Sequence, residues 1–238
     1  MAQPVIYEFK RDWGKAITAP IILRGGTLGS VSKYTGQTRV TKLPSRRWSL
    51  QVIIPPQKEE IWRELRAFIN KLDDGANYVR MFDPFSCIPR GVAAGINRSN
   101  YRAAGTEPFS DATLFSDGTG FKSGSLQARL ARNHIRGETA VLIDGLVANQ
   151  AQSLMVDDKI GIAGYLYQVI HSVSSDANGQ ALVPIRPALR VPSVASASDG
   201  IVNFEFPTSI FVMVDPPAIS PGPSGTGQIG FSFEEVLP

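Results

Sequence analysis

The chain has 238 residues, of which 43% are hydrophobic and 19% charged, the composition of a folded globular protein with room for one large core or two modest ones. Its one cysteine, Cys87, excludes an intrachain disulfide framework and reads as a small buried hydrophobe, while no apolar run approaches the roughly 20 residues of a membrane-spanning helix. The net charge of +3 hides a segregation: from Trp13 to Gln57 there are basic residues and no acidic one, and after Arg190 the reverse holds.

With 22 glycines and 17 prolines the chain is densely punctuated, which favours short strands and many turns. The opening Met1-Ala2-Gln3-Pro4 lacks the basic-then-apolar order of an export signal, so none is expected. Residues 4–9 and 20–24 read as strands. Gly25-Gly26 then open a long basic excursion to Pro44, whose alternation at Thr38-Arg39-Val40-Thr41 predicts an extended arm. Trp48, Leu50 and Val52 fall at period two within a strand from Arg47 to Ile54.

A helix is expected from about Pro56 to Leu72. Pro56 suits its first turn, and Ile61, Trp62, Leu65, Phe68, Ile69 and Leu72 form a core stripe at helical spacing. Asp73-Asp74-Gly75 ends it, with Gly75 available for a left-handed conformation, and a strand follows at Asn77–Phe82. Residues 89–125 are turn-rich. Strands resume at 140–143, 159–162 and 165–170, the last expected to pair with 181–185 across Asp176-Ala177-Asn178-Gly179. Residues 191–202 look like a connector, and a final strand pair is expected at Val202–Val214 and Gln228–Val236.

Few residues offer chemistry. His134 and His171 are the only histidines, far apart and without a nearby cysteine, so no local metal-ligand spacing exists. Asp73-Asp74 and Asp157-Asp158 lack a third oxygen ligand at a recognisable interval. Gly222-Pro223-Ser224-Gly225-Thr226-Gly227 has no following lysine and no flanking strand–helix unit, so it is a poor phosphate loop. The reading is therefore of a protein without enzymatic activity or cofactor.

Several blocks resemble the distal tail proteins of siphophages and related gene-transfer particles. They are Arg47-Trp48-Ser49-Leu50-Gln51-Val52, the helix Lys58–Leu72, Asp74-Gly75-Ala76-Asn77-Tyr78-Val79-Arg80 and Phe82-Asp83-Pro84. The run from Val156 to Val169, the stretch from Asp176 to Arg190 and the close Gly230-Phe231-Ser232-Phe233-Glu234-Glu235 follow in the expected order. Residues 10–46 and 89–135 match nothing in that family.

The resemblance implies a structural tail-tip component, made in the host bacterial cytoplasm and carried in the virion tail. It implies a homo-oligomeric ring, commonly sixfold, between the tail tube protein and the hub and tape-measure-type proteins, with no membrane and no sequence-specific nucleic acid partner. The fold expected is mainly β. A tail-tube-like β-sandwich with one flanking helix, residues 1–95 and 203–238, would carry an inserted small β-barrel, OB-like, at residues 96–202.

Charge segregation adds an assembly hypothesis. A ring contact closes by rotation and joins two different surfaces. An arm bearing Arg24, Leu28, Val31, Lys33, Tyr34, Arg39, Val40, Lys42, Leu43, Arg46 and Arg47 would meet an acidic surface of Glu205, Asp215, Glu234 and Glu235 on a neighbour or on the adjacent ring. That both are solvated faces of one subunit is an equal alternative. Two other functional classes compete. One is a carbohydrate-binding module, for which Tyr101, Tyr165 and Tyr167 are the only tyrosines of the insertion; the other is a cell-wall hydrolase, for which the sequence supplies no motif.

Overall fold

A computed structural model describes residues 4–10, 13, 21–31, 38–54, 59–86, 89–90, 127–215, 218–220 and 228–238. The chain is mainly β and divides into two compact units, Met1–Pro84 with Ile210–Leu237, and Phe85–Ser209.

The first unit is built on a mixed seven-stranded sheet. Its strands are β1 (Ile6–Glu8), β2 (Ile22–Val31), β3 (Thr38–Ile54), β4 (Tyr78–Phe82), β11 (Thr208–Met213), β12 (Ala218–Ser220) and β13 (Gln228–Glu235). The order is β1-β4-β11-β13-β3-β2, with β12 also on β13; β1 and β4 run parallel. Period-two alternation buries one face, because successive side chains point to opposite sides of a strand. Trp48, Leu50, Val52 and Ile54 of β3 are buried while Arg47 and Gln51 are exposed. Phe211 and Met213, and Phe231 and Phe233, continue the buried face on β11 and β13.

Helix α1 (Glu59–Leu72) buries Trp62, Leu65, Phe68 and Leu72, with Ile61 and Ile69 half-buried beside them. Its expected first turn, residues 56–58, lies outside the described residues. The Phe68 ring meets Trp13 edge-on at 5.1 Å and Phe9 at 6.1 Å. A single 3-10 turn, Asp73–Gly75, ends the helix. Gly75 has φ +93, and a Cβ there would stand 2.8 Å from the Met213 carbonyl oxygen, so only glycine lets the turn lie this close to β11. Asn77 then ties the helix end to β1: its Nδ2 donates to the Lys71 carbonyl at 2.8 Å and its Oδ1 accepts the Val5 N–H at 3.1 Å.

The second unit holds a closed antiparallel barrel of six strands. They are β5 (Gln127–Leu130), β6 (Ala140–Asp144), β7 (Lys159–Ile162), β8 (Tyr165–Val169), β9 (Ala181–Arg186) and β10 (Ile201–Asn203). Around the barrel the order is β10-β5-β6-β9-β8-β7, so the chain jumps across between β6 and β7. Val141, Ile143, Ile160, Ile162, Val183 and Val202 fill its interior at 0% exposure. The β7–β8 hairpin turns on Ala163 and Gly164, both with positive φ (50° and 78°), as a two-residue loop between twisted strands requires.

Three local expectations change. Val202–Val214 is not one strand: β10 closes the barrel and β11 joins the sheet, with the chain broken at Phe204–Pro207, where Phe206 has φ 48. Residues 191–202 are packed rather than a loose connector. Ser193 is buried and bridges His134, and a Cβ on Gly200 would stand 2.4 Å from the Val194 carbonyl oxygen. Strand β8 pairs with β9, but Asp176–Gly179 is not a tight hairpin between them. That turn closes on itself through Asp176 Oδ1, which accepts the Asn178 and Gln180 N–H groups, and docks on Leu146, whose N–H donates to the Gly179 carbonyl at 2.9 Å.

Candidate functional site: the β2–β3 ribbon

β2 and β3 pair from Ile22↔Ser49 to Gly25↔Arg46, then, after an irregularity between Gly25 and Thr27, from Thr27↔Lys42 to Val31↔Thr38. β13 meets β3 only between Ser49 and Ile54. From Thr38 to Arg46, β3 is therefore paired on one side alone among the described residues. At about 3.4 Å per residue this stretch is about 27 Å long. The excursion read from the sequence is a two-stranded ribbon continuing beyond the multi-stranded part of the sheet.

The expected arm residues fall along it unevenly. Arg24 and Arg47 face each other in register and both are exposed. Arg46 is half-buried, and its side chain covers Gly25, with Cγ 3.5 Å from where a Cβ would stand. Leu28, Val31, Arg39, Val40, Lys42 and Leu43 are placed by backbone only, with Leu28 opposite Thr41, Val31 opposite Thr38, Arg39 opposite Ser30, Val40 opposite Gly29 and Lys42 opposite Thr27. Lys33 and Tyr34 lie outside the described residues.

The four residues expected to form the acidic surface are divided between the two units. Asp215 is exposed just after β11, and Glu234 is half-buried on β13 opposite Ser49. Glu205 belongs to the other unit, just after β10, where its N–H donates to Asn203 Oδ1 at 3.0 Å. Glu235 must be corrected: it has 0% exposure, and its Oε2 accepts the Trp48 N–H at 3.2 Å. On β13 it shares the parity of Phe231 and Phe233, so the pleat turns it inward.

Two polar clusters organise the barrel. His134, 2% exposed, accepts the Leu142 N–H on Nε2 at 3.1 Å, so its ring proton sits on Nδ1, which meets Glu138 Oε2 at 2.6 Å. The imidazole thereby stands in for a strand partner at Leu142. The Ile135 N–H first, and the His134 hydrogen bond second, outweigh desolvation and hold the Glu138 carboxyl below its ordinary value.

In the second cluster Asp158, buried, accepts the N–H of Met155 at 2.7 Å and of Arg90 at 2.8 Å, anchoring Arg90 to the barrel. Asp157 receives the amine of buried Lys159 at 2.8 Å and the Gln168 amide. Burial pushes the Asp157 carboxyl up, but the Lys159 hydrogen bond and charge, with Gln168 and Arg90, leave it below its ordinary value. Both carboxylates thus have protein partners. Among the described residues no group of three His, Cys, Asp or Glu side chains is arranged to hold a metal ion.

Among the described residues the tyrosines of the insertion form no exposed platform. Tyr167 is fully buried and its hydroxyl accepts the Arg190 N–H at 2.9 Å, Tyr165 is half-buried against the barrel core, and Tyr101 lies outside the described residues. The barrel also bears a cleft of about 420 Å³, lined by residues including Gly161, Gly164, Asp199, Asn203 and Thr208, which no sequence pattern groups. Among the described residues no helix is long and apolar enough to cross a membrane. No protein-family model matches the chain, and no curated protein matches it in sequence.

Proposed function

We propose that the chain is a non-enzymatic structural subunit of a phage tail tip, a distal-tail-type protein that assembles into a ring, sixfold in the simplest case. In this reading the ring joins the tail tube to the hub and receptor-binding apparatus. The sheet with α1 is then the counterpart of a tail-tube-like sandwich, and the barrel is its insertion. An OB fold has five strands, so a six-stranded closed barrel would be a variant of that kind.

The observation that carries the reading is the β2–β3 ribbon. A two-stranded ribbon is marginal on its own in water, and its free backbone edges are templates for pairing with another chain. A subunit that retains such a ribbon, basic along its length, has a means of reaching a neighbour. Exposed ion pairs contribute only about 0–1 kcal/mol each, so the arginines and lysines would select register while apolar area holds the contact.

The test is a mass measurement of the purified chain followed by imaging. Rings with a mass near six times 25.8 kDa are expected. Deleting Thr27–Lys42 leaves Gly26, Leu43, Pro44 and Ser45 to link Gly25 to Arg46, which are already in register. That variant should fold and remain monomeric. A wild-type chain that stays monomeric at high concentration, or rings unaffected by the deletion, would refute the proposal.

A further inference from the structure

The cleft on the barrel lies over the β7–β10 ladder, where Asn203 pairs with Gly161 and Val202 with Ile162. Val202 and Ile162 point into the core, so Gly161, Ile201 and Asn203 face outward. Gly161 supplies no side chain to fill the space, and a Cβ there would meet Pro207 at 3.4 Å. The Ala163-Gly164 turn and the 3-10 turn Ser198–Gly200 border it. The cavity, about 420 Å³, falls within the size range of small-molecule sites.

The polar groups on its walls are half committed. Asp199 Oδ2 accepts the Val194 N–H at 3.2 Å, which fixes the carboxylate and leaves Oδ1 without a partner among the described residues. Asn203 Oδ1 accepts the Glu205 N–H at 3.0 Å, which fixes the carboxamide and leaves Nδ2 likewise unengaged. The hydroxyls of Ser198 and Thr208 have no protein partner there either. The cleft therefore presents an anchored acceptor, an anchored donor and two hydroxyls that can do either.

This set discriminates among ligand classes. An anion would face the Asp199 carboxylate with no compensating cation among the lining residues. A lone carboxylate is a poor start for calcium, which takes about six to eight oxygens. A largely apolar ligand would cover these donors and acceptors without pairing them. A ligand carrying neighbouring hydroxyls satisfies all of them, since each hydroxyl donates once, as Asp199 requires, and accepts, as Asn203 requires.

We propose that this cleft is a binding site for a neutral saccharide, with Asp199 and Asn203 reading a pair of adjacent hydroxyls. All the lining residues, Thr208 at the start of β11 included, fall within Phe85–Ser209, so the site belongs to the barrel unit and does not rest on ring formation, and either proposal can fail alone. The experiment uses the full chain, titrated with the methyl glycosides of glucose, galactose, mannose, rhamnose and N-acetylglucosamine and followed by ligand-observed NMR and calorimetry. Inorganic phosphate and calcium chloride serve as comparison probes, and oligomer mass is measured on the same samples.

At least one glycoside should bind saturably. Asp199→Asn keeps an oxygen for the Val194 N–H but turns the free acceptor into a donor, and Asn203→Asp keeps the cap on Glu205 but turns the free donor into an acceptor. Each should weaken binding at least about tenfold while leaving the melting temperature and oligomer mass unchanged. Absence of glycoside binding at about 50 mM, binding that both substitutions leave intact, or preferential binding of phosphate or calcium would overturn the assignment.

Discussion

Glu235 and Trp48 are 187 residues apart in sequence and joined by a hydrogen bond from the Trp48 N–H to Glu235 Oε2 at 3.2 Å, at a position without solvent exposure. The β13–β3 register runs from Ile229↔Ile54 to Glu234↔Ser49, and the Glu235 side chain serves the next backbone donor of β3. Glu235→Ala removes this buried acceptor from the Trp48 N–H, and should cost about 1–3 kcal/mol in denaturant unfolding. Glu235→Gln, which keeps an acceptor, should cost less. Equal losses for the two substitutions would show that the acceptor is not what matters.

The buried stripe of α1 sets a second expectation. Leu65 is 1% exposed, and Leu65→Ala should destabilise the protein by about 2–5 kcal/mol, transfer and cavity terms together. Arg66 is exposed, and Arg66→Ala should stay within about 0.5 kcal/mol of the wild type. Thermal melts of both variants check the contrast.

Acid sensitivity follows from the barrel's carboxylates. Glu138 is depressed below 4.5 and Asp157 below 3.8, so each binds its proton more readily in the unfolded chain. Their stabilisation is full above those ordinary values and is lost as pH falls through the lower, folded values. Melting temperature should therefore drop between about pH 5 and pH 3. The drop should diminish in Glu138→Gln and again when Asp157→Asn is added; an unchanged pH slope in the double variant would exclude these groups as its source.

Gly179 has φ +77, and a Cβ there would stand 2.2 Å from the Leu146 carbonyl oxygen. Gly179→Ala combines backbone strain with a clash against main chain that cannot rotate away. It should cost more than about 1 kcal/mol and disturb the Leu146 amide in NMR spectra. Gly164→Ala is the comparison, because its φ is +78 but no atom lies within 4 Å of the added Cβ.

Much of the local structure is legible in the sequence. The period-two run at Trp48, Leu50 and Val52 and the helical stripe from Ile61 to Leu72 depend on which side chains must leave water, and that pattern repeats within a few residues. The basic excursion was legible as extended for the same reason, although its length as part of β3 was not. Strands β5 and β12, each short and embedded in turn-rich sequence, gave no periodic signal long enough to recognise.

The partners of each element were decided only by the fold. Charge alone placed Glu235 at a surface, whereas the inward parity it shares with Phe231 and Phe233 acquires its meaning once β13 is laid beside β3. Likewise, nothing local distinguishes Gly161, Asp199 and Asn203. They meet because β10 returns to pair with β7 as the barrel closes, and such long-range pairing depends on the packing of the whole unit rather than on any short stretch of chain.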